Sequence, residues 1–571
     1  MSTKRQQSFA CEIEDALGNP RDVDAPISFV RSVALDQESL FPHEEFQAVV
    51  AAGLQKGYVP TSRGGKTDDF ADVMMAVRAV ARRDLTAAIG HGKTFLGAVC
   101  SWDSASDETA ARVAEHTLAG ESISWGLTER GHGSDLLSTS VMARKTSDGG
   151  WALNGEKWMI NNATRGRALT ILARTGDEPG PRSLSLFYMD KEEAQGTWEY
   201  LPKIQTHGIR GADISGITLR DTKIPQGRLI GAPGDGLEIV LRCLQVTRPL
   251  CTALSLGAAD SGLSAALEFA AGRNTMGHIL LDLPAAQDQL ADVAVDLAIA
   301  ELMSVMGARH LQLNPSEASV ISPSVKYLVP HIVDDIMVRI TRFIGARAVL
   351  ADGQLGHVQK TVRDNRVVSI FDGNSVVNLH SIVQQLPRAV RYKAPLPEAT
   401  PESLISAENN TPLNYQRLML MTTGGATMFS SLTDSANRAS DALDGTGRDM
   451  AVILVKRAEA LAEEAKAMRP VRNPEPEGFR LAHEFTVLLA ASAVLEKVAT
   501  CESENLWSDP GIASMALRRL IKMLNPQRAS LPRKHRNKTK RERESAYRLL
   551  DQWRQLSPGY CISAFTPHIN A

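Results

Sequence analysis

The hydrophobic pattern changes period twice along this chain, and that change constrains the fold more than any other feature. From Pro42 to Ala119 apolar residues recur at helical spacing, as in Phe70, Val73, Met74, Val77 and Val80. Side chains three and four apart share a helix face, so the stretch predicts helices, broken by turn chemistry at Tyr58-Val59-Pro60 and Gly64-Gly65. Between Ile123 and Gly231 short β-rich runs take over, at Ala168–Ala173, Leu184–Met189 and Ile217–Leu219, separated by turns containing Gly, Pro and Asp. The turn Asp148-Gly149-Gly150 before Trp151-Ala152-Leu153-Asn154-Gly155 predicts adjoining hairpins. Beyond Pro233 long Ala- and Leu-rich helices return, at Ala253–Gly272, Ala285–Met306 and His331–Ile344.

A proline-rich stretch, Ala394-Pro395-Leu396-Pro397-Glu398-Ala399-Thr400-Pro401, cannot continue a helix and reads as a linker. After it, amphipathic helices at Asp449–Met468 and Phe479–Val498 flank a second proline-rich segment, Pro470–Gly478. The expected class is α+β, with a helical N-terminal domain (1–121) and a small inserted β-barrel-like domain (122–232). A C-terminal four-helix bundle (233–392) follows, then a linker with an extra helical domain (393–571). A length of 571 residues suits roughly three or four domain-sized units.

Composition excludes broad classes. With 43% hydrophobic and 22% charged residues the chain is neither disordered nor fibrous, and a net charge of -2 gives no global attraction to nucleic acid or anionic membrane. Met-Ser-Thr-Lys-Arg-Gln-Gln leads into no apolar signal core, and no uncharged apolar run of about 18 residues stands out. The expected location is cytoplasmic. Six cysteines are scattered without a Cys-x-x-Cys pair and read as reduced thiols, and no His, Cys, Asp and Glu cluster has metal-ligand spacing. Between Arg518 and Arg543 basic residues crowd together, a candidate contact for nucleic acid or membrane; a solvated surface is the commoner fate of such a run.

Leu127–Asp135, Leu-Thr-Glu-Arg-Gly-His-Gly-Ser-Asp, packs hydroxyls, a carboxylate and two glycines into a turn after Ile123-Ser124-Trp125, and reads as a ligand loop. Nucleotide motifs fit poorly. Gly65-Lys66-Thr67 and Gly92-Lys93-Thr94 have Pro60 and Ala87 where a P-loop needs its leading glycine, and Gly131-x-Gly133-x-x-Leu136 lacks the third glycine of a dinucleotide fingerprint.

Gly120-Glu121, Leu127-Thr128-Glu129 and Gly133-Ser134-Asp135 together resemble the signature of the acyl-CoA dehydrogenase flavoproteins. The α, β, α order is that family's too, so the resemblance spans roughly Leu40 to Arg388. It implies FAD, lined by Trp125, Leu127, Thr128, Gly133 and Ser134, with Ser134 also meeting the substrate's pantetheine arm. Asn154–Asn162 resembles the family's second flavin strand, bringing in Trp158, Met159 and Asn161, although the family usually has an aromatic at 159 and Thr or Ser at 161. Arg273-Asn274-Thr275-Met276-Gly277 resembles the pyrophosphate-binding Arg-x-Thr/Gln-Phe-Gly, which implies Arg273, Thr275 and a homodimer or homotetramer. Gly345 is what remains of a glycine-rich adenylate contact, and Arg248 of Thr247-Arg248-Pro249 corresponds to an arginine near the reacting end of the substrate.

The catalytic base falls on Asp372, in Phe371-Asp372-Gly373-Asn374 after Arg363-Asp364, where the family has Tyr-Glu-Gly-Thr; Asn374 joins the cofactor set. Asp is the same base on a stem one methylene shorter, and nitroalkane oxidases resemble this chain in having Asp there. The implied activity is α,β-desaturation of an acyl-CoA or carrier-protein thioester, with electrons leaving to an electron-transfer flavoprotein or to oxygen. The alternatives are a flavin oxidase or monooxygenase on a non-thioester such as a nitroalkane, and a DNA-associated flavoprotein with little turnover.

Overall fold

The computed structural model describes residues 8–178, 180–406, 411–469, 473–501, 505–524, 531–532, 535 and 537–555. Two compact units emerge, one of residues 1–247 with 412–420, the other of 248–411 with 421–571.

The first unit opens with helices that begin where short polar side chains can cap them. The Asp69 carboxylate accepts from the Asp72 N–H at 3.1 Å ahead of Phe70–Ala81, and Asp84 accepts from the Ala87 N–H at 2.9 Å ahead of Leu85–Ala98. Eight strands follow: β1 Ile123–Gly126, β2 Met142–Lys145, β3 Trp151–Asn161, β4 Ala168–Arg174, β5 Leu184–Asp190, β6 Gln195–Leu201, β7 Ile214–Ile224 and β8 Leu229–Ile230. Their order is β6-β7-β3-β2-β4-β5-β8, with β1 paired parallel to β4. The pairings form an open path of mixed sense where barrel-like closure was expected. Its two ends explain why: β6 is exposed along most of its length and β8 has only two residues, so neither offers the other a ladder.

The β2–β3 hairpin turns at the expected Asp-Gly-Gly. Gly149 takes a positive φ of 84°, and Asp148 accepts from the Gly150 N–H at 3.2 Å. Alternating inward residues, among them Leu153, Leu169, Ile171, Phe187, Met189, Ile217 and Leu219, build the sheet's core, where Trp151 meets Phe187 edge-on with centroids 5.3 Å apart.

In the second unit, helices Pro284–Leu313 and Ala318–Ile344 pack together across a short turn. Every residue from Val293 to Leu313 is buried, so this helix must be covered all round. Ala318–Ile344 covers part of it, and Ser403–Ile405, Pro476–Thr500, Pro510–Met523 and Lys540–Gln555 pack against it as well. Pro323 lacks the N–H that would reach the Ser319 carbonyl, and the Gln385 side-chain amide donates to that carbonyl instead at 3.0 Å. Two helices, Gly236–Gly272 and Pro476–Thr500, are long and apolar enough over an 18-residue window to cross a bilayer, although charges such as Asp260 and Glu484 interrupt them; those windows are 94% and 83% buried within the protein. Residues 394–401 form no helix, as their prolines require.

Candidate active site

The ligand loop after β1 is held from beneath by a buried ion pair. Lys157, fully enclosed on β3, reaches the Glu129 carboxylate at 2.8 Å and donates to the Leu127 carbonyl at 3.1 Å. Glu129 also accepts from the Ser140 N–H at 2.8 Å, the Ser140 hydroxyl at 2.5 Å and the Val141 N–H at 3.2 Å, tying both ends of the loop to one carboxylate. Burial alone would raise the Glu129 carboxyl, but Lys157 and the Ser140 donors outweigh it and hold the group below its ordinary range. Burial pushes Lys157 down to about 8, with Glu129 opposing, so both remain charged at neutral pH.

Thr128 is fixed to β3 twice: its hydroxyl donates to the Trp158 carbonyl at 2.7 Å, and its carbonyl accepts from the Trp158 N–H at 3.0 Å. Leu127, Thr128 and Trp158 are thereby brought together. Gly133 lies in open space and Ser134 is exposed on the same loop. Met159 sits on a β-bulge with φ 63° and is 51% exposed, an uncommon conformation for an unbranched residue on a strand. Among the described residues, the buried Trp125 indole N–H and the buried Asn161 side-chain oxygen have no hydrogen-bond partner. One is a donor only and the other an acceptor, a pair that suits the alternating carbonyl and N–H edge of a flavin's pyrimidine ring.

In the second unit the Asp372 turn is as closely specified. Asp372 has φ 53° and Gly373 φ 91°, after which the Asn374 side chain caps Ser375–Ala389 by accepting from the Val377 N–H at 2.9 Å. Lys326, buried on Ala318–Ile344, gathers the turn by donating to the carbonyls of Val368 at 2.7 Å, Phe371 at 2.8 Å and Gly373 at 3.4 Å. Asn378 donates to the Gly373 carbonyl as well, at 2.8 Å.

Asp372 is half-buried, and the Cys251 thiol lies 3.5 Å from its Oδ2. Arg248, one helical turn before Cys251, is 7% exposed, and its buried Nε has no hydrogen-bond partner among the described residues. Burial pulls this guanidinium below its ordinary value, with Asp372 and Cys251 acting the other way. The turn therefore sets a carboxylate, on a main chain in the left-handed region, beside a desolvated guanidinium.

The remaining residues of the expected set sit on other elements. Arg273 follows the Gly236–Gly272 helix and leads into a hairpin, β9 Asn274–Thr275 and β10 His278–Ile279, whose turn residues Met276 and Gly277 both have positive φ. Gly345 ends Ala318–Ile344 at φ 72°. Asp364, expected to mark the register before Asp372, is buried against Lys360 at 2.7 Å and acts structurally. Reading the sequence did not single out Glu129, Lys157, Lys326, Cys251 or Asn378 as functional. For Lys326 the signal was present, one charge inside Ser324-Val325-Lys326-Tyr327-Leu328-Val329.

Much of the basic segment near the C-terminus is consumed internally. Arg518 is buried against Glu542 at 2.8 Å, Arg519 reaches Asp296 at 2.7 Å, and Lys538 reaches Asp292 at 2.9 Å. Arg533, Lys534 and Arg536 lie outside the described residues.

Residues 124–222 match the family model for the acyl-CoA dehydrogenase middle domain, and residues 234–386 match that for the acyl-CoA dehydrogenase C-terminal domain. A probable acyl-CoA dehydrogenase of Mycobacterium tuberculosis is 27% identical over 369 residues, which cover 63% of this chain and 93% of that protein. The mitochondrial short-chain specific acyl-CoA dehydrogenase of Homo sapiens is 26% identical over 384 residues, covering 65% and 89%. Butyryl-CoA dehydrogenase from Megasphaera elsdenii has the same fold, with a TM-score of 0.61 at 20% identity over 67% of this chain and 98% of that one. These matches define the class, an FAD-dependent oxidoreductase acting on CH–CH bonds. Within it, residues 124–222 and 234–386 carry the acyl-CoA dehydrogenase middle and C-terminal domains.

Proposed function

We propose that the protein desaturates an acyl thioester, carried on coenzyme A or on an acyl carrier protein, between the two carbons next to the thioester carbonyl. The observation that carries this reading is Asp372, a half-buried carboxylate held at positive φ beside the buried Arg248, within the segment that matches the family's C-terminal domain. Asp372 takes the proton from the carbon adjacent to the carbonyl, and FAD supplies the hydride acceptor. By the resemblance, Trp125, Leu127, Thr128, Gly133, Ser134, Trp158, Met159 and Asn161 would bind flavin, and Arg273, Thr275, Gly345 and Asn374 are further residues assigned to the cofactor. Ser134 and Arg248 contact the substrate. Electrons leave to an electron-transfer flavoprotein or to oxygen, and the working form is a cytoplasmic homodimer or homotetramer.

Anaerobic mixing of purified, FAD-loaded protein with a panel of acyl thioesters tests the proposal. Bleaching of the flavin by at least one thioester is expected, and no bleaching with any of them would overturn it. The shorter base favours one second reading, an oxidase acting on a nitroalkane. That reading predicts peroxide formation from nitroalkanes in air with no response to thioesters.

A further inference from the structure

Arg248 and Cys251 lie three residues apart on the Gly236–Gly272 helix, so they share a face, and that face meets the Asp372 turn. Cys251 is 3% exposed and flanked by the apolar Leu250, Ala253 and Leu254, a setting in which a plain hydrophobe would pack as well. What distinguishes it is the carboxylate: its sulfur stands 3.5 Å from Asp372 Oδ2, within reach of an S–H···O hydrogen bond in which the thiol donates. The terminal torsion of an Asp side chain is broad and roughly two-fold, so a donor on one oxygen sets the plane of the group.

We propose that Cys251 is a positioning residue for the base, its thiol fixing the Oδ2 edge of Asp372 and so orienting a carboxylate whose stem is one methylene shorter than a glutamate's. The inference rests on the reading of Asp372 as the proton acceptor. Reacting groups must be held in a near-attack geometry, and misplacement by about 1 Å can cost a hundredfold in rate. Backbone restraints fix the Asp372 main chain, through its turn and the Lys326 contacts to Phe371 and Gly373. They leave rotation of the carboxyl group itself to the groups that face it. From the Gly236–Gly272 helix these include Arg248 and Cys251; on Ala318–Ile344, Lys326 is engaged with the turn's carbonyls and His331 stands 3.4 Å from Ser375 at the start of the next helix. The two helix-borne donors differ in kind: the guanidinium contributes charge, whereas the thiol contributes a directed contact to one named oxygen.

The test combines a spectroscopic and a kinetic arm on the full-length holoenzyme. In infrared spectra the Cys251 S–H stretch should be identified by its loss in Cys251→Ala and should shift in Asp372→Asn; a band that does not move in Asp372→Asn would overturn the hydrogen bond without reference to any substrate. With a thioester that bleaches the flavin, Cys251→Ala should lower kcat about tenfold with KM unchanged. Cys251→Ser, which keeps a donor, should recover most of that loss. Equal kcat in Cys251→Ala and wild type, or a Ser variant no better than Ala, would sink the positioning role. If instead Asp372→Asn itself keeps full turnover, the assignment of the base has failed, and the infrared arm still reports on the contact.

Discussion

The loop over Glu129 and the turn at Asp372 are both anchored by one buried lysine, yet they spend that anchor differently. Lys157 is matched by a carboxylate that also collects donors from Ser140 and Val141, so the loop's buried charges are compensated. Lys326 donates to the turn's carbonyls, and beside that turn Arg248 keeps a buried Nε without a hydrogen-bond partner among the described residues, while Asp372 holds a main chain at positive φ. The first arrangement is a scaffold whose buried ion pair is satisfied within the protein. The second stores strain and incomplete solvation beside a titratable group, the pattern expected where chemistry is done.

The sharpest way to break this contrast is to remove one charge from each site in turn. Asp372→Asn is expected to retain flavin and fold while losing about 10²- to 10⁴-fold in kcat, the usual contribution of a general base; rapid-reaction bleaching with a responsive thioester checks it. Lys157→Met should do the reverse. It leaves Glu129 buried without its partner, which costs about 3–5 kcal/mol in stability and should loosen FAD binding before any effect on the chemical step. Denaturant unfolding and flavin retention on a desalting column separate the two outcomes.

The same pair sets a pH dependence. The Glu129 carboxyl is held below its ordinary 4.5, so the unfolded chain binds its proton more readily than the folded one. Its contribution to stability is therefore present above pH 4.5 and is lost as pH falls through the folded-state value. Thermal unfolding of wild type against Glu129→Gln should show curves that converge toward acid; parallel curves down to pH 3 would assign the loop's stability elsewhere.

Gly373→Ala probes the strained side directly. An added Cβ would lie 3.3 Å from both Arg248 Nε and Asn378 Oδ1, on a residue whose φ of 91° disfavours any side chain. A destabilisation of about 1–2 kcal/mol is expected from the backbone alone. Activity should fall further than stability explains, because the displaced atom lies next to the base.

What could be read in advance follows from the range of the interactions involved. The strands at Ala168–Arg174, Leu184–Asp190 and Ile214–Ile224, the Asp-Gly-Gly hairpin and the helices after Pro233 are written in local period and turn chemistry, although the helices expected from Ala253 and His331 begin earlier, at Gly236 and Ala318, and run through Pro249, Pro323 and Pro330. The parallel pairing of Ile123 with Ala168 joins segments with no shared local signal, so neither it nor the open path of the sheet was legible. At the site, Asp372 and Arg248 were visible through their motifs. Cys251 was not, because a cysteine on an apolar helix face looks like any other small hydrophobe until the fold sets a carboxylate against it.

Met159 offers the finest test of the contrast, since it places strain on the otherwise satisfied side. Its φ of 63° lies where an L-residue pays about 1–2 kcal/mol, and its side chain is half exposed, so little packing offsets that. Glycine would relieve the conformational cost while adding about 0.5–1 kcal/mol of chain entropy to be lost on folding. Met159→Gly should therefore leave the flavin-free protein unchanged or more stable by up to about 1 kcal/mol. If the bulge is shaped for the flavin, the same variant should bind FAD more weakly, and calorimetry on the flavin-free and flavin-loaded forms reads both quantities. Stabilisation without any loss of FAD affinity would make the bulge a feature of the strand's own register, and would leave the Asp372 turn as the strained member of the two regions compared.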